Sequence, residues 1–595
     1  SVTVDTSSFT GTSGNSSKPL MIIGESEDGA PQTVVKYTSY SSAKSALRSG
    51  DLLDAMELAW NPSSTGEYYA GDILAIRSQP ATQATLTEGT LTFTSKLYSE
   101  SANDILISLQ KNSVTDTYRL NISYPEDGVS NSYDSLGKIM SIAYNGTFAY
   151  AGYSISTDEN NYANELDLYT GADASSATIA QSFKLGDSSS YPKTNNLINA
   201  INSVDGFIAS RYDVGDKNIY TKYFYETEKT ALPSTTNTLY INALEGDIMH
   251  TVGDNDDYVS ITYTPQGTPL DPTNVVVTPI ADGFHIQVDA METVQALGAF
   301  QATNLSGATV GVSPDSWSDL FEQFSDAVDS TAGYYLVPLT DDAAIHAEAS
   351  EFVDEQSEYD NAMRTIVGTG VGESKQQLIS RALDLDDGRT YLVGASAMVK
   401  MSDGTTQDMP GYMMAAMIAG VASGLDIGDS ITYKTIGIVS VDGSFTRDDI
   451  NELTGEGVIM ITNVRNRSTS NFKIVDDPST SSDTDDPIEH EMAVAESSDF
   501  FIAGLREKIA DEFIGTKIST SYAQTITSYV QGYCADMKTA GIILDYDSSS
   551  ISTEIVGSVA SVSGTVYPDR TLKKVNFTLN YDSETISSTS TTTAS

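Results

Sequence analysis

Short apolar runs that alternate with helical patterns constrain the fold of this chain more than any other feature. The predicted order from residue 334 onward is strand Tyr334–Pro338, helix Ala343–Glu355, strand Arg364–Val367, helix Lys375–Leu383, strand Thr390–Val393, helix Gly411–Leu425 and strand Ser430–Val439. Apolar strands separated by helices indicate a parallel or mixed sheet that is covered on both faces.

The start of the chain repeats this pattern on a smaller scale. Leu20–Ile23 reads as a strand, Ser42–Trp60 as a helix broken near Gly50, and Ile73–Ile76 as a second strand. We therefore expect this β-α-β segment to belong to the same sheet as the later one.

Between about Ala84 and Phe300 the pattern changes. Alternating segments such as Leu91–Thr94 and Ile105–Leu109 are separated by clusters of Asn, Asp, Gly and Ser, which is typical of β-rich domains. Because the α/β pattern resumes afterwards, we interpret this region as an insertion into the first domain.

The C-terminal quarter predicts two amphipathic helices after an acidic segment. The segment Asp476–Pro487 reads as a linker or exposed loop. The first helix has an apolar stripe at i+4 spacing, formed by Phe501, Leu505, Ile509 and Phe513. The second has a stripe formed by Tyr522, Ile526, Tyr529, Val530, Tyr533 and Met537. The single cysteine, Cys534, falls in this helix, and we expect it to be a buried small side chain.

Alternating segments also occur near both ends of the sequence. The apolar positions are Val2 and Val4 at one end, and Val575, Phe577, Leu579 and Tyr581 at the other. A Gly/Ser-rich stretch, Gly11–Ser17, predicts a hinge after the first of them. An unpaired strand edge is a template for another chain, so extended segments of this kind can pair with another chain.

Together these patterns predict a multidomain α/β and α+β fold. An α/β core is expected from residues 20–85 and 301–475, with inserted β-rich domains at 86–300 and an α+β domain at 476–582 that ends in an extended strand arm. We expect residues 1–19 to form an extended N-terminal arm and the Ser/Thr-rich residues 583–595 a disordered tail.

The charge balance excludes several classes of partner. The chain has 81 acidic and 32 basic residues, a net charge of −49. Such a chain is repelled by phosphate backbones and by anionic membrane surfaces, so we expect no nucleic-acid partner. The longest apolar run, Tyr412–Leu425, is shorter than the roughly 20 residues that span a bilayer, so we expect no membrane insertion.

The sequence offers few candidates for catalytic, cofactor or metal sites. The glycine-rich Gly368–Lys375 follows a strand and opens a helix, but Ser374 and Glu373 break the nucleotide-binding patterns. The acidic run Asp254–Asp257 lacks the glycine and the distal glutamate of a calcium loop. We therefore predict no catalytic residue, no cofactor and no metal ligand, and a chain that is not an enzyme. A nucleotide site that depends on Lys375 is the enzymatic alternative.

Several segments stand in a characteristic order along the chain: Ile22–Ser26, Asp51–Trp60, Gly333–Asp342, Arg364–Gly368, Met409–Leu425, Thr446–Leu453, Gly457–Ile461, Glu491–Val494, Asp499–Phe501, Asp511–Gly515 and Val566–Pro568. The order and spacing of those between about residues 330 and 582 resemble the tail sheath proteins of contractile-tailed bacteriophages. The first two segments are similar to the opening of sheath proteins from large phages of Gram-positive hosts.

This resemblance implies a structural subunit that polymerises helically around a tail tube and contracts to drive the tube through the host cell envelope during genome delivery. The implied partners are other copies of the chain, the tail tube protein, and baseplate and tail terminator proteins. The subunit would be assembled in the host cytoplasm and reside in the virion tail. In this family the C-terminal domain faces the tube, so Arg506, Glu507 and Lys508 are the expected tube-facing helix surface.

The alternative is a glycan- or receptor-binding protein of the virion surface. The Ser/Thr-rich β region and the 33 tyrosines suit such a role, whereas the α/β core and the helical C-terminal region do not favour it.

Overall fold

The computed structural model describes residues 18–573 except for 64, 235–238, 254, 271–274, 281–282, 289–292, 328–333, 359–360, 444, 466–469 and 518–520. The described residues fall into two compact units. The first includes residues 18–26, 32–78 and 314–573, and the second includes 27–31 and 79–313. In sequence, the second unit interrupts the first.

The elements follow in chain order. The first stretch contains β1 (Leu20–Gly24), β2 (Val35–Tyr37), α1 (Tyr40–Leu47), α2 (Asp51–Trp60) and β3 (Ile73–Arg77). The β-rich stretch contains β4 (Thr85–Glu88), β5 (Leu91–Ser95), β6 (Leu106–Asn112), β7 (Thr117–Tyr124), β8 (Val129–Leu136), β9 (Lys138–Tyr144), β10 (Tyr150–Thr157), β11 (Ala163–Gly171), β12 (Thr178–Lys184), α3 (Thr194–Ile201), β13 (Phe207–Arg211), β14 (Thr227–Ala231), β15 (Leu239–Asn242), α4 (Leu244–Ile248), β16 (Val259–Tyr263), β17 (Val275–Ile280), β18 (Gly283–Val288) and β19 (Phe300–Asn304). The last stretch contains α5 (Ser318–Ala327), β20 (Tyr334–Pro338), α6 (Ala343–Glu358), β21 (Met363–Gly368), α7 (Lys375–Leu385), β22 (Thr390–Val393), β23 (Ala397–Lys400), β24 (Thr406–Met409), α8 (Gly411–Gly424), β25 (Thr435–Ile436), β26 (Ile438–Val441), α9 (Arg447–Gly455), β27 (Val458–Ile459), β28 (Ile461–Arg465), β29 (Ser470–Ile474), α10 (Pro487–His490), α11 (Met492–Phe513), α12 (Tyr522–Ala540), β30 (Ile543–Val556) and β31 (Val559–Pro568).

A seven-stranded mixed sheet organises the first unit, in the order β2-β3-β1-β20-β21-β22-β27. The β2–β3 pair is antiparallel, and the other neighbours are parallel. Strands that precede the β-rich stretch and strands that follow it therefore belong to one sheet, since β1 lies between β3 and β20. The sequence prediction of a parallel or mixed sheet is confirmed.

Helices cover both faces of this sheet. Leu20 and Ile22 of β1 pack into the cluster that contains α1, α2 and α8, whereas Met21 and Ile23 pack into the cluster that contains α5 and α6. Every residue of β1 is buried because both faces are covered. The continuous apolar runs of these strands follow from this two-sided burial.

Helix α8 is the apolar run that the sequence singled out, and it is buried almost all round. It packs closely on α2, where a Cβ atom on Gly420 would lie 2.4 Å from the backbone oxygen of Ala59. Only glycine permits that approach. In the part of the chain that the structure describes, no helix is long and apolar enough to cross a membrane.

The predicted strand Ser430–Val439 is wrong over its first half. Residues 430–434 form no strand and contain a turn at 432–433, and the strands begin at Thr435 and Ile438 in two different small sheets. The Ser430 hydroxyl donates to Asp477 at 2.9 Å and accepts from the Thr432 N–H at 2.9 Å, and Tyr433 has a φ of 64°. These side-chain bonds compete with strand pairing.

The predicted linker Asp476–Pro487 is only partly exposed. Asp477, Ser479 and Thr480 are buried, and the Ser479 hydroxyl donates to the Glu489 carbonyl at 2.5 Å. The sequence prediction failed here because an acidic Ser/Thr composition was taken for solvation, whereas these groups are satisfied by internal hydrogen bonds. Only the later part of the segment, from about Ser482, is largely exposed.

The second unit is β-rich and has two buried clusters. One involves strands β4–β8, β16 and helix α4, and the other involves β9–β13, β15 and α3. Its larger sheets have the orders β12-β11-β10-β14 and β19-β6-β7-β8. A buried ion pair between Lys217 and Asp247, 2.6 Å apart, lies within this unit.

Candidate assembly surface in the C-terminal region

The glycine-rich loop before α7 is filled by the chain's own charges. The Gly370 N–H donates to the Glu373 carboxylate at 3.2 Å, which is where an anionic ligand would be held. The Lys375 ammonium lies 2.9 Å from both Asp449 and Glu452, and these hydrogen bonds raise the pKa of Lys375. An incoming phosphate would have to displace these carboxylates, so the geometry favours a structural turn.

The acidic run Asp254–Asp257 also has a structural explanation, although Asp254 lies outside the described residues. The Asp256 carboxylate is buried and accepts hydrogen bonds from Asn131 at 3.0 Å and from Tyr133 at 2.8 Å, as well as from two backbone N–H groups. Within the described ranges, no group of three or more His, Cys, Asp or Glu side chains is arranged to hold a metal ion.

Helices α11 and α12 pack through the apolar stripes that the sequence predicts. Phe501 and Tyr533 have ring centroids 5.2 Å apart, and Phe513 lies 5.2 Å from Tyr529. The Tyr533 hydroxyl donates to the Phe501 carbonyl at 3.0 Å, and burial raises the pKa of Tyr533. Cys534 is buried in the same cluster, as expected.

A long hairpin, β30–β31, lies against α12. Ile543 and Ile551 of β30 are buried in the α11–α12 cluster, and the Thr527 and Thr553 hydroxyls meet at 2.9 Å. In contrast, residues 559–565 of β31 are all exposed. A two-stranded hairpin is marginally stable on its own, so its packing on α12 is what fixes it in the single subunit.

Both strands of the hairpin have an unpaired edge among the described residues, where β30 pairs with β31 alone. The edges carry exposed apolar side chains, since Leu544, Val556 and Val559 are each more than 60% exposed. Val562 and Tyr567 are partly exposed as well. A long edge with exposed β-branched residues is a template for strand addition.

The strand arms predicted from the sequence lie outside the described residues. This applies to all six of their apolar positions, which are Val2, Val4, Val575, Phe577, Leu579 and Tyr581. Their role therefore stays a prediction.

The expected tube-facing residues lie in the second half of α11. Arg506 and Glu507 are exposed, whereas Lys508 is half-buried, with its ammonium 5.3 Å from the centre of the Tyr533 ring. Ile502 is also exposed on this helix, and Ile514 follows its end with an exposed fraction of 76%. The helix thus combines exposed apolar and charged groups, while Lys508 lies toward α12.

Sequence reasoning missed the hairpin itself. One signal was available, because Gly557 and Ser558 stand between Val556 and Val559 as a two-residue turn, and Gly557 has a φ of 64°. Sequence reasoning also missed the ion pairs that Lys18 and Lys573 make with acids near the start of α11, which no local pattern signals.

No family model matches this chain. The chain is 39% identical over 581 residues to the putative tail sheath protein of Enterococcus phage phiEF24C, which covers 98% of this chain and 96% of that protein. It is 36% identical to the tail sheath protein of Staphylococcus phage Twort, over 98% and 97% of the two chains. The solved sheath tail protein from Desulfitobacterium hafniense shares the fold, with a TM-score of 0.51 at 13% identity and coverages of 93% and 94%. The chain therefore belongs to the tail sheath proteins of bacteriophages.

Proposed function

We propose that this chain polymerises helically around a tail tube and contracts to drive the tube through the host cell envelope during genome delivery. Its role is structural and not enzymatic. The observation that carries the proposal is the hairpin β30–β31, which among the described strands has two unpaired edges and exposes apolar side chains, in a chain of the tail sheath family. A glycan- or receptor-binding role is not favoured by this family membership.

The two arms supply the strands that would complete the hairpin. When fully extended, residues 1–17 span about 60 Å and residues 574–581 span about 28 Å. Such lengths suit exchange with an adjacent copy. Strand addition would turn a marginal two-stranded sheet into a four-stranded one.

The stabilisation that strand addition gives is modest for one arm and large when summed over the polymer. A seven-residue segment such as Val575–Tyr581 forms about six backbone hydrogen bonds when it pairs along one edge, each with a net value of about 0.5–1.5 kcal/mol, or about 3–9 kcal/mol for one arm. Side chains of the added strand that pack beside Val562 and Tyr567 on the face of the sheet increase this further. Because every subunit gives two arms and accepts two, the contacts multiply along the polymer.

The remaining partners follow from the family. We place the tail tube against α11, with Arg506, Glu507 and Lys508 as the contact surface, and the 86–300 region away from the tube. A baseplate would trigger contraction at one end, and a tail terminator protein would cap the other. The subunit would be assembled in the host cytoplasm and reside in the virion tail.

The net charge of −49 adds a condition for assembly. Packing like-charged subunits side by side requires screening, so polymer formation should increase with salt or Mg²⁺.

Negative-stain microscopy of the purified chain tests this proposal. We expect tubes for the full sequence, and single subunits when residues 1–9 or residues 575–595 are deleted. Deletion of residues 583–595 alone is the matched control, because it removes the low-complexity tail and keeps the strand, and it should leave tubes intact. A full-length chain that stays monomeric across salt and Mg²⁺ concentrations, or tubes that survive both arm deletions, would contradict the proposal.

A further inference from the structure

The root of the N-terminal arm is fixed by a buried charge. The Lys18 ammonium lies 3.0 Å from the Glu496 carboxylate, and both side chains are almost fully buried. The Glu496 carboxylate also accepts from the Tyr335 hydroxyl at 3.1 Å and from the Gly428 N–H at 3.1 Å. The Lys18 carbonyl accepts from the Ser423 hydroxyl of α8 at 2.5 Å. The chain is thus held on both its backbone and its side chain where β1 begins.

The root of the C-terminal arm is fixed to the start of the same helix. Arg570 donates to the Glu491 carboxylate through its Nε at 3.1 Å. Lys573 lies 2.7 Å from Asp476, 3.1 Å from Asp477 and 3.6 Å from Glu491. Burial disfavours the charged form of Lys573, but these carboxylates outweigh it and raise its pKa.

Helix α11 is itself attached to the central sheet. Glu491 is its N-cap residue, and Glu496 lies in its second turn. One further turn along, Asp499 accepts from Arg389 at 2.7 and 2.9 Å and from the fully buried Arg364 of β21. Three acids within nine residues therefore connect the two arm roots and the sheet.

We infer that the start of α11 is a common clamp for both arms, so that load entering a subunit through one arm leaves through the other by way of Glu491 and Glu496. This inference rests on the proposed exchange of arms. The hairpin would then receive a neighbour's strands, while the subunit's own arms would pull on α11 and on β1. The route bypasses the β-rich unit.

A chain of connections in series fails at its weakest link. Loss of either connection to the clamp, Lys18 to Glu496 or Lys573 to Glu491, should therefore weaken a polymer about as much as loss of both. Two independent supports would instead give effects that add.

Methionine substitutions test the clamp because they keep side-chain length and leave the acids with other donors. In Lys18→Met, Glu496 keeps Tyr335 and Gly428. In Lys573→Met, Asp477 keeps the Ser430 hydroxyl and the Ala493 N–H. Lys375→Met is the matched control, since Lys375 also pairs with two acids and its side chain is 24% exposed against 27% for Lys573.

Backbone hydrogen exchange of the full-length free subunit tests the clamp in the absence of any polymer. We expect at least tenfold faster exchange of the α11 start, residues 491–496, in both Lys18→Met and Lys573→Met, and no change there in Lys375→Met. If each variant loosened only its own arm root and left residues 491–496 unchanged, the common clamp would be refuted.

The urea concentration at which preformed tubes dissociate tests whether the two connections act in series. We expect Lys18→Met, Lys573→Met and the double variant to lower it by similar amounts, and Lys375→Met to leave it unchanged. Additive losses in the double variant would overturn the series connection. If the unaltered chain formed no tubes, the proposed function would fail, and the exchange result alone would decide for or against the clamp.

Discussion

The central sheet and the C-terminal hairpin differ in how complete they are within one chain. Every residue of β1 is buried, and helices cover both faces of its sheet. The first seven residues of β31 are all exposed, and its only partner among the described strands is β30. The sheet obtains its burial within the subunit, whereas the hairpin has its apolar edge left open. The proposed strand addition would remove this difference.

The largest effect should come from breaking the charge network that ties α11 to the sheet. Asp499→Ala leaves Arg364 buried without its carboxylate, so we expect the free energy of unfolding to fall by about 3–5 kcal/mol. Urea unfolding of the subunit measures this. Asp545→Ala removes the solvent-exposed partner that β30 offers to Lys538, and we expect it to leave the free energy of unfolding nearly unchanged. If the two substitutions lowered the free energy of unfolding equally, the proposed difference between sheet and hairpin would be contradicted.

Acid should weaken the core through His346. Burial lowers the pKa of His346 to about 4, and its Nε2 lies 2.8 Å from the Thr340 carbonyl oxygen. Because the unfolded chain binds this proton near pH 6.5, the stabilisation is complete above that pH and is lost as the pH falls toward 4, by up to about 3 kcal/mol. Over this pH range the free energy of unfolding of His346→Gln should fall by up to about 3 kcal/mol less than that of the parent chain. A variant with the same pH profile as the parent chain would refute this.

A smaller effect of opposite sign should come from Asp354 on α6. Burial, and then the neighbouring Asp387, raise the pKa of Asp354 to about 7. The folded state therefore favours the protonated acid, and stability is lost as the pH rises from about 4 through 7. Asp354→Asn should be more stable than the parent chain by about 1 kcal/mol at pH 8, a value kept low because the site is half open to solvent. No gain at pH 8 relative to pH 5 would contradict it.

The smallest effect on the subunit, and the sharpest on assembly, should come from the hairpin. Val562→Lys places a charge on an exposed edge strand, so we expect the free energy of unfolding to change by at most about 0.5 kcal/mol. A charged edge resists strand addition, and tubes should not form. Val114→Lys, at an exposed position in the β-rich unit, is the control and should still assemble. Normal tubes from Val562→Lys would count against the hairpin as the acceptor.

The sequence predicts the parts of the fold in which local pattern and burial agree. Residues 20–23 and 391–393 are apolar throughout, and both lie in strands of the buried sheet. The hairpin escaped prediction because Ser548, Ser549 and Ser550 interrupt the alternating pattern of β30 and because β31 is exposed over most of its length, so no buried face marks it as a strand. Long-range charges escape for another reason, since Lys18 and Glu496 are 478 positions apart and form no local pattern.

The candidate site divides in the same way. The apolar stripes of α11 and α12 follow from helical spacing, and Phe501 and Tyr533 pack as predicted. The inward position of Lys508 does not follow from spacing, because it depends on the Tyr533 ring of a neighbouring helix.

Cryo-electron microscopy of the assembled polymer tests the central claim most directly, by counting the strands of the sheet that contains β30 and β31. We predict four strands, with the two added ones formed by residues around 2–4 and 575–581 of other copies. A polymer in which the hairpin remains two-stranded would contradict the account.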